Sequence, residues 1–200
     1  MEHYFSKTPI SNYNENIIES TISGIKLHFY SGSGVFSRTG IDFGSRLLIT
    51  AFYEDYSDDP SLLLDVGCGY GPIGIYAAAK FKEAHVEMVD INERAVELAM
   101  KNIESNGIRN AKARVSDGFI EITREYDVIL TNPPIRAGKK IVFSFYQGAF
   151  EHLKSGGAFY CVIQKKQGAE SSFKKLKELF GNCEVVSKKS GYRILKSVKS

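Results

Sequence analysis

Apolar positions along the chain gather in short runs that alternate with longer segments of helical periodicity. The stretch LLLDVGC (62 to 68) is a short apolar run, broken only by Asp65, that passes into glycines, as a strand buried on both faces of a parallel sheet does. PIGIYAAAKF follows, with Pro72 suited to a first helical turn. HVEMVDI (85 to 91) predicts a second strand. In NERAVELAMKNIESNG, Asn92 serves as a cap, and Val96, Met100 and Ile103 recur at helical spacing before Gly107. AKARVSD predicts a third strand, YDVILTN (126 to 132) a fourth, and IVFSFYQGAFEHLK a helix stopped by Gly156 and Gly157. AFYCVIQ (158 to 164) predicts the fifth strand. A helix, ESSFKKLKELF, then leads to EVVSKK and YRILKSV, which close the chain as a hairpin around Ser190-Gly191.

Strands alternating with helices imply an α/β fold with an open, doubly wound, mostly parallel sheet and right-handed crossovers. In such a sheet the ligand crevice lies beyond the C-terminal ends of the strands. Residues 1 to 61 read as an N-terminal extension, with strands at 14 to 22 and 25 to 31, a turn at SGSG, and a helix through DFGSRLLITAFYEDY. No repeat, low-complexity tract or linker interrupts the 200 residues. The reading is therefore one domain over 1 to 200, the extension packing on a core that spans 62 to 200.

Composition narrows the setting. With 43% hydrophobic and 24% charged residues, the chain has enough apolar material for a sizeable core. Cys68, Cys161 and Cys183 are odd in number and form no CxxC pair, against both a disulfide framework and a zinc site. His3, His28, His85 and His152 are scattered without metal or catalytic spacing. The N-terminus lacks a signal-peptide core and no apolar run is long enough to cross a bilayer, so the expectation is a soluble, cytoplasmic protein without metal or membrane partner. The net charge of +3 conceals an asymmetry. Residues 161 to 200 carry ten Lys or Arg against three Glu, a net of +7, which leaves −4 for residues 1 to 160. A polyanion-binding face has this appearance, as does a solvated face rich in lysine.

The first strand ends in DVGCGYGPIG, which satisfies the GxGxxG dinucleotide fingerprint, with Asp90 about 20 residues on as the ribose acid. Two residues argue against a pyrophosphate. Asp65 would set a carboxylate beside two phosphates, and Pro72 removes an amide from the helix start. S-adenosylmethionine fits better, since its cationic amino group suits Asp65 while its carboxylate still gains loop amides. Gly67, Gly69 and Gly71 let the backbone pass close beneath it. Asp90 can take both ribose hydroxyls, and Asp117, in SDGF at the end of the third strand, can accept from the adenine amino group. Ile91 and Phe119 are the apolar neighbours expected for the ring. Cys68 reads as a small loop residue, with no histidine in its motif to activate it.

The fourth strand runs into TNPPIRAGKK (131 to 140). In the expected strand order Asn132 faces the crevice near the sulfonium, so it belongs to both the cofactor and the catalytic set. Pro133 holds Asn132 extended, and Pro133-Pro134 continues as a stiff segment whose carbonyls are expected to lack local partners. Two acceptors, the Asn132 side-chain carbonyl and the Pro133 carbonyl, match the two donors of a substrate NH2 group. Ile135 completes the motif as an apolar contact.

Together these segments resemble the class I S-adenosylmethionine-dependent methyltransferases, and among them the small-methyltransferase-domain family that includes ribosomal RNA guanine-N2 methyltransferases. SGSGVFSRTGIDFGSRLLI (31 to 49), VDINERAVELA, SDGF and LKSGGAFYCVIQKKQG extend the likeness over nearly the whole chain. The resemblance implies a seven-stranded, Rossmann-like sheet ending in an antiparallel hairpin, with Phe36, Asp42 and Gly44 closing over cofactor or target. It also implies an N-methyltransferase for an exocyclic amino group of an RNA base, guanine N2 in ribosomal RNA first. A protein glutamine amide, a DNA adenine N6 and a non-catalytic module that binds S-adenosylmethionine or RNA are the alternatives. Two departures stand out. Family members with amino-group substrates carry an aromatic residue after the prolines to stack on the base, where this chain has Ile135. The larger ribosomal RNA enzymes also carry a further domain for site selection, so recognition here falls to this chain's own surface or to a partner. Arg136, Lys139, Lys140, Lys165 and Lys166 are placed by the strand ends to form a phosphate-binding rim. A monomer acting on ribosomal RNA or a ribosomal particle is the expected partner arrangement.

Overall fold

The computed structural model describes residues 15–32 and 40–200. Seven strands form one sheet in the order β5-β4-β3-β6-β7-β9-β8, and β1 (Glu15–Ile22) pairs with β2 (Ile25–Gly32) in a separate antiparallel hairpin. The central strands are β3 (Leu62–Val66), β4 (His85–Asp90), β5 (Ala111–Val115), β6 (Tyr126–Thr131) and β7 (Leu153–Gln164), all mutually parallel. Antiparallel β9 (Tyr192–Val198) and β8 (Glu184–Lys189) finish the sheet. The reversal of order between β4-β3 and β3-β6 sets the crevice between the ends of β3 and β6, as expected of a doubly wound sheet.

Alternation along β7 builds a core on each face. Ala158, Tyr160 and Val162 join a cluster with α1 (Phe43–Asp55), α2 (Pro72–Lys80), α3 (Glu93–Ser105) and the N-terminal hairpin. Phe159, Cys161 and Ile163 face the opposite way, into a cluster with α4 (Lys139–His152) and α5 (Ala169–Phe180). Period-two burial on both faces requires a strand that is apolar throughout.

Several boundaries differ from the sequence expectation. The helix expected at 141 to 154 starts earlier, at Lys139, and ends at His152, because Leu153 is already extended and buried as the first residue of β7. Gly156 and Gly157 therefore lie inside that strand and do not stop the helix. A Cβ on Gly157 would stand 2.9 Å from the Lys154 carbonyl and 3.0 Å from that of Tyr126, so this glycine permits the close approach of β6 and β7 at their register shift. Of the expected SGSG turn, Ser31 and Gly32 belong to β2, and the remainder lies outside the described residues. The first core strand ends at Val66, before the glycines.

The N-terminal hairpin is tied to the core by two asparagines four residues apart, one in the last turn of α3 and the other its C-cap. Buried Asn102 accepts from the Tyr30 amide at 2.6 Å and donates to the Tyr30 and Tyr70 carbonyls at 2.9 Å each. Asn106 does the same for His28, accepting from its amide at 3.1 Å and donating to its carbonyl. Each side-chain amide thus imitates a strand residue and satisfies the outward groups of β2, whose edge would otherwise be open. Because Tyr70 sits in the glycine loop, Asn102 also couples the hairpin to the crevice. Asn102→Ala leaves three backbone groups without this partner, the Tyr70 carbonyl buried and the two of Tyr30 half-buried, and is expected to lower stability by about 3 kcal/mol, read as a shift in the urea midpoint at unchanged slope.

Candidate functional site

A cavity of about 590 Å³ opens at the C-terminal ends of β3, β4, β5 and β6 and extends to β7 and the start of β9. At one end lies the glycine loop. Gly67 and Gly69 hold φ of 74° and 57°, a region that suits glycine, and a Cβ on Gly69 would meet no protein atom within 4 Å. The loop therefore presents bare backbone to the cavity. Asp90 stands opposite, its Oδ2 accepting from the Gly69 amide and its Oδ1 from the Asn92 amide, at 2.8 and 2.9 Å. Ile91, Ser116, Asp117, Gly118 and Phe145 continue the wall. Burial raises the Asp90 carboxyl above its ordinary range, and the backbone donors oppose that rise. The Cys68 thiol lines the cavity but burial and neighbouring carboxylates push it far above its ordinary value, which keeps it a neutral packing group.

At the other end, Asn132 is held by the first turn of α1. Its Nδ2 donates to Ser45 Oγ at 3.0 Å and to Asp42 Oδ1 at 3.3 Å. Asp42 is itself the N-cap of α1, accepting from the Ser45 amide at 3.1 Å. With the nitrogen engaged on that side, the Asn132 carbonyl oxygen is the end of the amide left to accept from a ligand. The expectation of unpartnered proline carbonyls does not hold. Ile135 N–H donates to the Pro133 carbonyl at 2.8 Å across an inverse γ-turn centred on Pro134 (φ −74°, ψ 78°), and Ala137 N–H donates to that of Pro134 at 2.9 Å as the chain turns into the 3-10 helix Ile135–Ala137 before Gly138. Each carbonyl keeps one lone pair, and the segment is stiffened by these bonds as well as by its rings.

The other residues singled out in the sequence divide by position. Gly67, Gly69, Asp90, Ile91, Asp117, Asn132, Pro133, Pro134, Ile135, Arg136 and Asp42 line the cavity. Asp65 lies beneath the loop, where Oδ2 accepts from the Gly74 amide at 2.8 Å. Gly71 caps α2 and packs against Ile75, Met88 and Ala99. Phe119 turns away from the cavity, stacking on His152 at 5.2 Å and lying over Gly148, so the aromatic wall comes from Phe145 instead. Gly44 lies against Tyr192 and Val162, letting α1 approach the sheet. Lys139, Lys140, Lys165 and Lys166 are exposed and outside the lining, and Phe36 falls outside the described residues. Ser45, Gln164, Gln167, Ile141 and Tyr192 also line the cavity without having been singled out. Gln164 ends β7, so the strand-end rule reaches it; Tyr192 begins an antiparallel strand, whose start lies where parallel strands end.

No group of three or more His, Cys, Asp or Glu residues arranged to hold a metal ion occurs among the described residues. The donor set fits S-adenosylmethionine: open backbone at Gly67 and Gly69 for the amino-acid part, the Asp90 carboxylate for a ribose, Asp117 and the Ile91 and Phe145 side chains for an adenine. A glycine-lined crevice in a doubly wound sheet with an antiparallel hairpin at its edge defines a class I, S-adenosylmethionine-dependent methyltransferase. The chain belongs to the methyltransferase small domain family, whose model matches residues 26–196. It is 48% identical over 200 residues to the Bacillus subtilis (strain 168) protein YbxB, covering 99% of this chain and 98% of that one. Ribosomal RNA small subunit methyltransferase C of Enterobacter sp. (strain 638) is 32% identical over 82% of this chain and 47% of its own length. Ribosomal RNA large subunit methyltransferase G of Psychromonas ingrahamii is 31% identical over 87% and 46%. The chain thus spans about half the length of these two rRNA methyltransferases. Among solved structures, the T. thermophilus 16S rRNA N2 G1207 methyltransferase in complex with AdoMet and guanosine superposes with a TM-score of 0.84 at 27% identity, over 96% of this chain and 52% of that one.

Asp65 provides a pH test of the site's construction. Its Oδ1 is buried with no hydrogen-bond partner among the described residues, and burial, with the Asp90 charge adding and the Gly74 bond opposing, pushes the carboxyl up to about 7. An unfolded aspartate titrates near 3.9. Between about pH 4 and 7 the folded protein therefore holds a proton that the unfolded chain has released, and this group's contribution to stability falls as pH rises through that window. Asp65→Asn keeps an acceptor for Gly74 and removes the charge. Its Tm is expected to exceed that of the parent above pH 7, by about 2–4 °C for each kcal/mol recovered, and the gain should vanish near pH 4 in calorimetric scans of the ligand-free protein.

Proposed function

We propose that this protein uses S-adenosylmethionine to methylate an exocyclic amino group of an RNA base, guanine N2 in ribosomal RNA. The observation that carries the reading is the orientation of Asn132: its amide nitrogen is engaged by Asp42 and Ser45, so its carbonyl is free to accept from a substrate amine. The rRNA methyltransferases among its relatives, and the guanosine bound in the superposed T. thermophilus enzyme, support the choice of base.

The cofactor supplies an activated methyl group on a sulfonium. Asn132 Oδ1 accepts one substrate N–H, and the remaining lone pair of the Pro133 carbonyl, fixed by the γ-turn at Pro134, accepts the other. The two bonds orient the nitrogen lone pair and stabilise the positive charge that gathers on the amine as the new N–C bond forms. No strong base is required, since the excess proton leaves after transfer. The Ile135 and Ile141 side chains keep this end apolar, which strengthens both hydrogen bonds by excluding water.

The test is methyl transfer from labelled S-adenosylmethionine to ribosomal RNA from cells lacking the protein, run beside DNA and protein acceptors. Label on N2-methylguanine in RNA is expected; label confined to DNA adenine or a protein glutamine overturns the reading. Asn132→Ala should cut the rate by about 100- to 1000-fold while cofactor affinity, measured by calorimetry, stays within a few-fold. Ser45→Ala should give a smaller loss of kcat with the same cofactor affinity, because the carboxylate of Asp42 still holds the amide.

A further inference from the structure

The aromatic residue missing after the prolines has a counterpart elsewhere in the cavity. Tyr192, the first residue of β9, lines the same cavity as Asn132, Ile135 and Gln164. Its ring is buttressed by Phe43, the first residue of α1, with centroids 5.3 Å apart and planes at 45°. Gly44 brings the helix close enough for this contact, since even a Cβ there would stand 3.2 Å from Tyr192 Cε1. The first turn of α1 thus sets both the amide of Asn132 and the ring of Tyr192.

The sheet extends this arrangement outward in register. Gln164 on β7 is paired with Tyr192, and Tyr192 with Lys189 on β8. Directly paired residues of antiparallel strands project to the same face, so an amide, an aromatic ring and a cation follow one another across three strands. The turn of the β8–β9 hairpin is pinned to the turn after β7 by the bond from Lys165 N–H to the Gly191 carbonyl at 2.7 Å. Lys165, Lys166, Lys188 and Lys189 are exposed along this edge, and none makes an ion pair among the described residues. Strands lie about 4.8 Å apart, which puts the backbone of Lys189 about 10 Å from that of Gln164. A nucleotide covers that distance from base edge to phosphate with the reach of a lysine side chain to spare.

We infer that Tyr192 is the stacking platform for the acceptor base, that Gln164 hydrogen-bonds the base edge, and that Lys189 takes an adjacent phosphate, forming a nucleotide subsite on the sheet edge in place of an aromatic residue after the prolines. This rests on the reading of the site as an RNA-base methyltransferase and specifies how that site holds its substrate. Tyrosine and glutamine suit a base, with a π face and paired donors and acceptors, and the lysine row suits its backbone.

The experiment uses the full chain, S-adenosylmethionine, and ribosomal RNA from cells lacking the protein. Tyr192→Leu is expected to raise the KM for RNA by about five- to 150-fold, the range for loss of one base stack, with a smaller change in kcat and unchanged cofactor affinity. Tyr192→Phe should restore most of the affinity, since the ring is retained. Lys189→Ala should lower the salt slope of RNA binding by about one. RNA methylation by the parent with a parental KM in Tyr192→Leu would overturn the stacking role and leave the methyltransferase reading standing. Loss of cofactor affinity in Tyr192→Leu would make the ring a structural support and overturn the role as well, and an unchanged slope in Lys189→Ala would remove the phosphate contact. A parent that methylates no RNA fails the functional reading itself, and this subsite with it.

Discussion

The bonds from Asn132 Nδ2 to Ser45 and Asp42 are the constraint on which the chemistry of the site depends. An asparagine amide at a strand end can present either a donor or an acceptor to a ligand, and the two choices recognise opposite substrates. Two oxygens at the start of α1 decide between them. Asp42 is at once the helix cap and the partner of Asn132, so the energy that starts the helix also fixes the direction of the carbonyl. The contact joins positions 87 and 90 residues apart, which makes the segment before the sheet part of the cavity wall.

That segment is held in turn by the core. The α1 helix packs against β7 through Phe52, whose ring meets Tyr160 at 5.2 Å, and Tyr160 donates to Asp55 near the helix end at 2.6 Å. The N-terminal hairpin is anchored by Asn102 and Asn106, and Asn102 reaches on to the carbonyl of Tyr70 in the glycine loop. The two walls of the cavity are therefore connected to the N-terminal segment by buried polar bonds and aromatic packing, each strong where water is excluded. A cavity supported in this way has its acceptors placed before any ligand arrives, and preorganisation of that kind is what transition-state stabilisation requires.

The sheet and its crevice were legible in the sequence because both rest on local patterns. Runs such as LLLDV, broken only by Asp65, and AFYCVI are apolar because both faces are covered, and residues at the ends of the neighbouring parallel strands, Asp90, Asp117 and Asn132, must emerge where those strands finish. What stayed hidden depends on tertiary geometry. Phe119 is two residues from Asp117, yet its side chain packs over Gly148, where a helix without a Cβ leaves a recess, and Phe145 takes its place in the wall. The proline carbonyls looked free because the two tight turns that use them, a γ-turn at Pro134 and the 3-10 turn that leads to Gly138 at a φ of 98°, are not announced by the motif itself. Ser45 and Tyr192 belong to segments far from either motif, and only strand order and helix docking bring them to it.

The charge asymmetry read from the chain acquires a direction in the fold. Carboxylates gather at the glycine-loop end, with Asp90 and Asp117 on the wall and Asp65 beneath the loop, while four of the lysines of the last 40 residues, Lys165, Lys166, Lys188 and Lys189, are exposed about the outer edge. In the proposed reaction the cationic cofactor meets the first region and RNA phosphates the second, each attracted to its own end and repelled from the other. The two attractions also differ in how salt affects them. Phosphates held by exposed lysines are screened and displaced by counterions, whereas interactions inside a partly enclosed, low-dielectric cavity are screened much less. Ionic strength should therefore govern whether RNA stays bound far more than whether the cofactor does, and recognition of RNA and activation of the methyl group become separable properties of one cavity.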